Sequence, residues 1–277
     1  MPGLSDALHE LPRVDVERAL QGELLRVAIL GVSLLLVSAT LLSGLEDAQM
    51  SLSWLLMGLA CWSFVLWQCR KRLHLNCSSP DALQGHRRYA TLGHGNRITL
   101  FRGLLISALA GFLLVPPADM RPWLLYVPAC LYTAAALGDL LDGRMARYQQ
   151  HTTRLGAELD TALDALGLVI APLLAIVAYG KLHVSYLLVS IAFYLFQWGI
   201  TWRRRRALPV YPLPPSRLRR YLAGLQMGLV AVALWPPVPQ GITQALGGVL
   251  MLPLLIGFCR DWWHVSGRRN VNRGPCS

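Results

Sequence analysis

Eight stretches of the sequence are apolar and almost free of charge over a length suited to crossing a membrane. A helix needs about 20 such residues to span the roughly 30 Å hydrocarbon core of a bilayer. Hydrophobic residues make up 54% of the chain and charged residues 15%, against about 25% charged in an ordinary soluble domain. The sequence therefore predicts an all-α polytopic membrane protein with spans near 24–44, 51–68, 98–116, 122–142, 158–178, 182–202, 218–236 and 241–258.

The placement of basic residues predicts the orientation of these spans. With the N-terminus inside, the inside segments hold 22 of the 26 Lys and Arg residues, and the outside loops hold only Arg121 and Lys181. Cytoplasmic loops of membrane proteins are enriched in Lys and Arg. We therefore expect both termini in the cytoplasm. A bacterial inner membrane is the expected location, although the charge distribution does not distinguish it from an organelle membrane. The same distribution accounts for the net charge of +11, so no nucleic-acid partner is expected.

Four aspartates flank one short predicted cytoplasmic loop, two on each side. Asp139 and Asp142 are three residues apart at the end of one span, and Asp160 and Asp164 are four apart at the start of the next. On helices, each pair lies on one face. The loop is short enough for the four carboxylates to converge at the inner end of the helices.

Such a cluster requires a source of positive charge. An ionised carboxylate near the bilayer costs several kcal/mol unless it is paired or binds a cation. Mg²⁺ and Mn²⁺ take oxygen ligands and bridge carboxylates to phosphates, and two such ions can polarise a pyrophosphate. The alternative is that these are ordinary helix-end acids, paired with Arg144, Arg147 and Arg154.

The run from Asp139 to Asp164 reads D-x2-D-G-x2-A-R-x8-G-x3-D-x3-D. It resembles the signature of the CDP-alcohol phosphatidyltransferases, and the likeness extends over about 96–258. The resemblance implies that Asp139, Asp142 and Asp160 are metal ligands. It implies that Asp164 is both a metal contact and the general base for the acceptor hydroxyl.

The resemblance also implies residues that contact the nucleotide and its phosphates. One group makes room for the CDP moiety or holds phosphate within the signature: Gly143, Ala146, Arg147 and Gly156. A second group reproduces the family's N-x2-T-x2-R pattern on one face of a span: Asn96, Thr99 and Arg102. Basic residues at the start of the seventh span are candidates for binding the phosphate of a phosphorylated acceptor: Arg217, Arg219 and Arg220.

The implied reaction transfers a phosphatidyl group from a CDP-activated lipid to the hydroxyl of a small polar alcohol and releases CMP. CDP-diacylglycerol is the expected donor, two Mg²⁺ or Mn²⁺ ions are the expected cofactors, and membrane lipids and a second copy of the chain are the expected partners. The acceptor stays open, and so does the choice between a CDP-lipid and a smaller CDP-alcohol.

Two other functions fit intramembrane aspartates. A prenyltransferase also uses magnesium on a diphosphate, but its two motifs lie in separate halves of the helical bundle, whereas only 17 residues separate Asp142 from Asp160. An ion-coupled transporter would carry its acids near the bilayer midplane, commonly in repeated or broken helices, whereas these aspartates lie at one membrane face.

The domain organisation follows from the spans and the resemblance. Residues 1–68 form an N-terminal tail with two additional spans, and 69–95 form a basic linker. Within the linker, Ser79 to Asp81 is typical of a helix start and Gly93 with Gly95 of a stop, which predicts a short interfacial helix over 80–92. Residues 96–260 form the six-helix catalytic domain, and 261–277 form a cytoplasmic tail.

Overall fold

A computed structural model of the chain describes residues 13–78, 88–148, 152–214 and 216–267. Over these ranges the secondary structure is helical, apart from loops and two isolated β-bridges. The helices are α1 (Arg13–Leu45), α2 (Ala48–Arg72), α3 (Gly93–Gly111), α4 (Val127–Tyr148), α5 (Arg154–Val177), α6 (Leu187–Arg205), α7 (Arg217–Leu234) and α8 (Gln240–Val265). The predicted all-α class is confirmed.

Seven of these helices are long and apolar enough to cross a membrane, which confirms a polytopic membrane protein. The eighth predicted span, 218–236, forms helix α7 but is not among the seven. Helix α7 has only 18 residues, and Arg217, Arg219 and Arg220 fall in its first four. All three arginines therefore fall within the 18 residues that are available to cross the membrane.

The chain divides into two compact units, Met1–Ala171 and Pro172–Ser277. Helix α5 passes from the first unit to the second at Pro172, which lies inside it. A proline ring has no N–H and cannot complete the regular helical hydrogen-bond pattern.

In the first unit, α3 is the central helix. Its most apolar 18-residue window is 61% buried, against 22–39% for the other spans of this unit. Two glycines of α3 allow α2 to approach closely: a Cβ on Gly103 would lie 2.7 Å from Val65 Cγ1, and one on Gly111 would lie 2.5 Å from Trp54 Cδ1. Small residues at such contacts are the usual means of close helix packing in membranes. The additional helix α2 therefore packs tightly against the helix that opens the predicted catalytic domain.

The linker between α2 and α3 differs from the prediction where it is described. Residues 79–87 lie outside the described residues, so the interfacial helix over 80–92 stays a prediction there. Residues 88–92 are not helical, and Arg88 forms an isolated bridge with Cys77. Gly93 begins α3 instead of ending a helix, with a φ of +77° that favours glycine.

In the second unit, two loops meet at one end of the helices. The Lys181 Nζ donates to the carbonyl of Pro236 at 2.9 Å and to that of Val238. The Thr243 hydroxyl donates to the carbonyl of Lys181 at 2.5 Å. The loop that precedes α6 therefore lies beside the loop that joins α7 to α8.

The opposite end of the second unit is also closed by polar contacts. Arg203, at the end of α6, donates to the carbonyls of Pro209 and Ser266 at 2.9 and 3.2 Å. At the start of α7, Arg219 pairs with the buried Asp261 of α8 at 3.1 Å. Helices α6, α7 and α8 therefore begin and end at common levels within this unit.

Candidate active site

The structure describes the side chains of three of the four predicted aspartates, and these three converge in the first unit. One carboxylate oxygen each from Asp139 on α4 and from Asp160 and Asp164 on α5 lie within 4.8 Å of one another. The helical spacing explains the pair on α5, since residues four apart lie on the same face. The contribution of Asp139 depends on how α4 packs beside α5.

The guanidinium of Arg102, on α3, lies between these carboxylates. Its Nη1 donates to Asp160 at 2.6 Å, and its Nη2 lies 2.7 Å from Asp139 and 2.8 Å from Asp164. Its Nε donates to the backbone carbonyl of Ala135 at 3.3 Å. One planar cation therefore joins three helices, because its five N–H donors fan out in fixed directions.

Arginine and aspartates differ sharply in exposure. The Arg102 side chain is 1% exposed, whereas those of Asp139, Asp160 and Asp164 are 25%, 40% and 42% exposed. The arginine therefore contacts the carboxylates from the protein side and leaves their other side open. The open side is where a ligand can reach the carboxylate oxygens.

Gly138 allows the arginine to occupy this position. A Cβ on Gly138 would lie 2.7 Å from Arg102 Cγ and 3.1 Å from its Cδ. Gly138 directly precedes the signature but is not one of its defined positions. Its role depends on which face of α4 meets α3, and the spacing of residues in the signature carries no such signal.

We predict that Gly138→Ala reduces activity by about tenfold, because the added methyl displaces the Arg102 stem while three carboxylates hold its guanidinium. The matched control is Gly167→Ala on α5, whose Cβ would lie 3.5 Å from Ile106 Cδ1, an ordinary contact. The CMP release that the resemblance implies and the midpoint of thermal unfolding would be measured for both variants. Equal activity in the two variants would contradict a role for the close approach at Gly138.

A buried polar corner lies next to the aspartates. The Asn96 Nδ2 donates to the Thr153 hydroxyl at 3.1 Å, and the Gly156 backbone N–H donates to the same hydroxyl at 3.0 Å. Thr153 therefore caps the start of α5. A Cβ on Gly156 would lie 2.5 Å from Asn96 Oδ1. The lack of a side chain at Gly156 therefore leaves room for the asparagine side chain.

The remaining predicted residues have different positions. Thr99 is buried, and its hydroxyl donates to the carbonyl of Gly95 at 3.1 Å. Four signature residues lie on α4, but their side chains are outside the described residues, so their predicted roles stay predictions: Asp142, Gly143, Ala146 and Arg147. The candidates for an acceptor phosphate begin α7 in the second unit: Arg217, Arg219 and Arg220.

The described donor set fits a divalent cation. Mg²⁺ binds carboxylate oxygens at about 2.1 Å in an octahedron, so opposite ligands of one ion are about 4 Å apart. The three oxygens lie within 4.8 Å of one another, a limit slightly above the widest separation around one such ion. Oxygen-only ligands suit Mg²⁺ and Mn²⁺ and disfavour soft metals. The cluster therefore satisfies the chemistry of a divalent metal site without specifying the ion.

Comparison with known proteins places this site within a family. The sequence profile of the CDP-alcohol phosphatidyltransferase family matches residues 93–258. The match covers more than half of the chain, includes α3 to α7 and most of α8, and contains all three converging aspartates. The chain belongs to the CDP-alcohol phosphatidyltransferase family.

Curated relatives cover a smaller part of the sequence. The chain is 30% identical over 135 residues to a CDP-diacylglycerol–serine O-phosphatidyltransferase of Mycobacterium leprae, which is 48% of this chain and 40% of that protein. It is 28% identical over 135 residues to the protein of the same name from Mycobacterium tuberculosis, covering 48% and 42%. The chain thus spans about two fifths of the length of these relatives.

Proposed function

We propose that this chain is a membrane phosphatidyltransferase of phospholipid biosynthesis, which moves a phosphatidyl group from CDP-diacylglycerol to an alcohol and releases CMP. The observation that carries the proposal is the convergence of Asp139, Asp160 and Asp164, with one side of their carboxylates open. Family membership favours this reaction over prenyl transfer and over ion-coupled transport, the two alternatives drawn from the sequence.

The proposed mechanism is a direct displacement. The acceptor oxygen bonds to the lipid-linked phosphorus as the bond to the CMP oxygen breaks, and the hydroxyl proton passes to the Asp164 carboxylate. Divalent ions bound by Asp139, Asp142, Asp160 and Asp164 would neutralise charge on the phosphoryl oxygens and on the leaving group. Asp142, Gly143, Ala146 and Arg147 keep their sequence-based roles in the proposal.

Arg102 has a positioning role in this proposal. Its side chain is buried and engaged with three carboxylates, so it acts on the reaction through them. It limits their mutual repulsion and holds them at fixed separations, and fixed charges of this kind need no rearrangement during the reaction. Asn96, Thr99 and Gly156 are proposed to shape the nucleotide end of the site.

We propose serine as the first acceptor to test. The two relatives are named as serine phosphatidyltransferases. The ion pair between Arg219 and Asp261 neutralises one of the three arginines that begin α7, which disfavours a phosphate site there. The phosphate of a phosphorylated acceptor would have to bind to Arg217 and Arg220 instead.

The test is CMP release by the purified protein in detergent, with CDP-diacylglycerol, Mg²⁺ or Mn²⁺ and a panel of alcohols. We expect metal-dependent release with serine and its loss in Asp164→Asn, because the amide cannot accept the hydroxyl proton. Release with glycerol 3-phosphate or an inositol phosphate instead would reject serine and keep the reaction class. No release with any alcohol would contradict the function.

We also propose that α7 crosses the membrane, which gives eight spans and both termini in the cytoplasm. Helix α7 begins beside Asp261 and ends before the loop that Lys181 contacts, so within the second unit it covers the same depth as α6 and α8. Arginines at the end of a span can reach the interface with their long side chains.

This topology makes a labelling prediction. In intact bacteria expressing the chain without its native cysteines, Pro237→Cys should react with a membrane-impermeant maleimide. Leu208→Cys should react only after the membrane is permeabilised. Both positions are exposed, and they lie in the loops after and before α7. Labelling of both from the same side would show that α7 does not cross.

A further inference from the structure

Two buried polar side chains outside the matched region 93–258 contact the helices that carry the site. Glu23, on α1, is 7% exposed, and Asn76, which follows α2, is 3% exposed. Burying a polar group costs free energy unless it is hydrogen-bonded. The contacts that these two residues make therefore indicate what the additional N-terminal helices do.

Glu23 contacts the beginning of α3. Its carboxylate accepts the backbone N–H of Leu92 at 2.9 Å and pairs with Arg97 at 2.6 Å. The first turn of a helix has unsatisfied N–H groups and the positive end of the helix dipole, so a carboxylate stabilises it. Arg102 lies on the same helix, five residues after Arg97.

Asn76 closes the linker against the same helix. Its Nδ2 donates to the carbonyls of Tyr89 and Thr91 at 3.0 and 2.9 Å. Its Oδ1 lies 3.5 Å from the Nδ2 of Asn96, on the first turn of α3. One side chain thus fixes residues 89–91 and reaches a residue of the polar corner.

The segment after Asn76 holds the start of α5. The backbone N–H of Arg154 donates to the carbonyl of Cys77 at 3.1 Å, and Ser78 forms an isolated bridge with Thr153. Thr153 is itself hydrogen-bonded to Asn96. Asp160 and Asp164 follow on α5, so residues 76–78 join the helix of Arg102 to the helix of two aspartates.

We infer that Glu23 and Asn76 are positioning residues of the site: they fix α3 and the start of α5 relative to each other at the nucleotide end. The additional helices α1 and α2 and the linker then help to position the active-site helices, in addition to anchoring the chain in the membrane. The inference rests on the proposed function for the identity of the bound donor.

The test uses the full chain in detergent with saturating Mn²⁺ and CDP-diacylglycerol as the probe. Asn76→Ala removes the hydrogen bonds of Asn76. Glu23→Gln removes the charge that pairs with Arg97 and leaves an amide oxygen that can still accept the Leu92 N–H. The matched control is Ser51→Ala. Ser51 lies at the opposite end of α2, about 37 Å from Asn76 by helix rise. Ser51 is also buried, and its hydroxyl donates to the carbonyl of Ala39 at 2.5 Å, so the control loses a buried hydrogen bond far from the site.

Two quantities would be measured. One is the concentration of CDP-diacylglycerol that gives half of the maximal thermal stabilisation. The other is amide hydrogen exchange in peptides covering 93–102 and 153–164. We expect Asn76→Ala to raise that concentration by about tenfold, the effect of one lost buried hydrogen bond. Glu23→Gln should raise it by a smaller factor, because it loses the ion pair with the half-exposed Arg97 but keeps the Leu92 hydrogen bond. Both variants should speed exchange in both peptides. Ser51→Ala should match the wild type in both quantities.

Lower thermal stability with an unchanged donor concentration and unchanged exchange would overturn the inference, because the contacts would then only stabilise the fold. If Asn76→Ala fails to fold, the inference is tested with Glu23→Gln alone. This variant should fold, because its amide oxygen can still accept the Leu92 N–H. If CDP-diacylglycerol does not stabilise the wild type, the proposed donor is wrong. Hydrogen exchange in the two peptides then decides the positioning role alone.

Discussion

Asp160→Asn is expected to lower CMP release by about a thousandfold or more. The substitution preserves the shape of the side chain but removes the negative charge that the site offers to a divalent ion, and metal sites of this kind depend on carboxylate charge. It also weakens the 2.6 Å ion pair with Arg102. Because two like-charged neighbours remain within 4.8 Å of this position, relief of their repulsion should offset that loss. The midpoint of thermal unfolding should change by only about 2 °C.

Glu158→Gln is the matched control for this prediction. Glu158 lies on the same helix, and its half-exposed carboxylate pairs with Arg72 at 3.1 Å. An exposed pair contributes at most about 1 kcal/mol, so the variant should keep its activity within about twofold. Stabilisation of each variant by Mn²⁺ would be measured together with CMP release. A fully active Asp160→Asn protein would contradict the assignment of Asp160 to the metal site.

Arg102→Gln is expected to affect stability and activity together. The variant leaves three carboxylates close together without their shared cation, and breaking a buried ion pair costs about 3–5 kcal/mol. The carboxylates are 25–42% exposed, so solvent reduces the cost, and we expect a fall of about 5 °C in the unfolding midpoint. CMP release should fall by about a hundredfold, because the carboxylates lose their fixed separation.

The metal response distinguishes this account from a general packing defect. Added Mn²⁺ should raise the unfolding midpoint of Arg102→Gln more than that of the wild type, since the ion replaces the missing positive charge among the carboxylates. The control is Arg18→Gln, which removes a 76% exposed arginine 3.9 Å from the half-exposed Asp15 and should change neither quantity measurably. An Arg102→Gln protein as stable as the wild type without metal would show that the guanidinium does not hold the carboxylates together.

The class of fold and the central aspartates of the site could be predicted from the sequence alone. Long apolar segments determine membrane helices, because no other element satisfies every backbone group within its own segment in lipid. The spacing of Asp160 and Asp164 places both on one helical face whatever surrounds the helix. Seven of the eight predicted spans meet the requirement for crossing, and the eighth is a helix whose crossing rests on contacts in the second unit.

Contacts between helices required the tertiary structure. Arg102 was predicted to bind phosphate with Asn96 and Thr99, but its side chain is buried against three carboxylates. Gly138 and Asn76 carried no sequence signal, since a glycine in a helix and an asparagine in a linker are common. Their roles depend on how α4 and the linker are placed beside α3. Residue spacing determines the face of one helix, whereas the rotation of helices against each other depends on packing along their whole length.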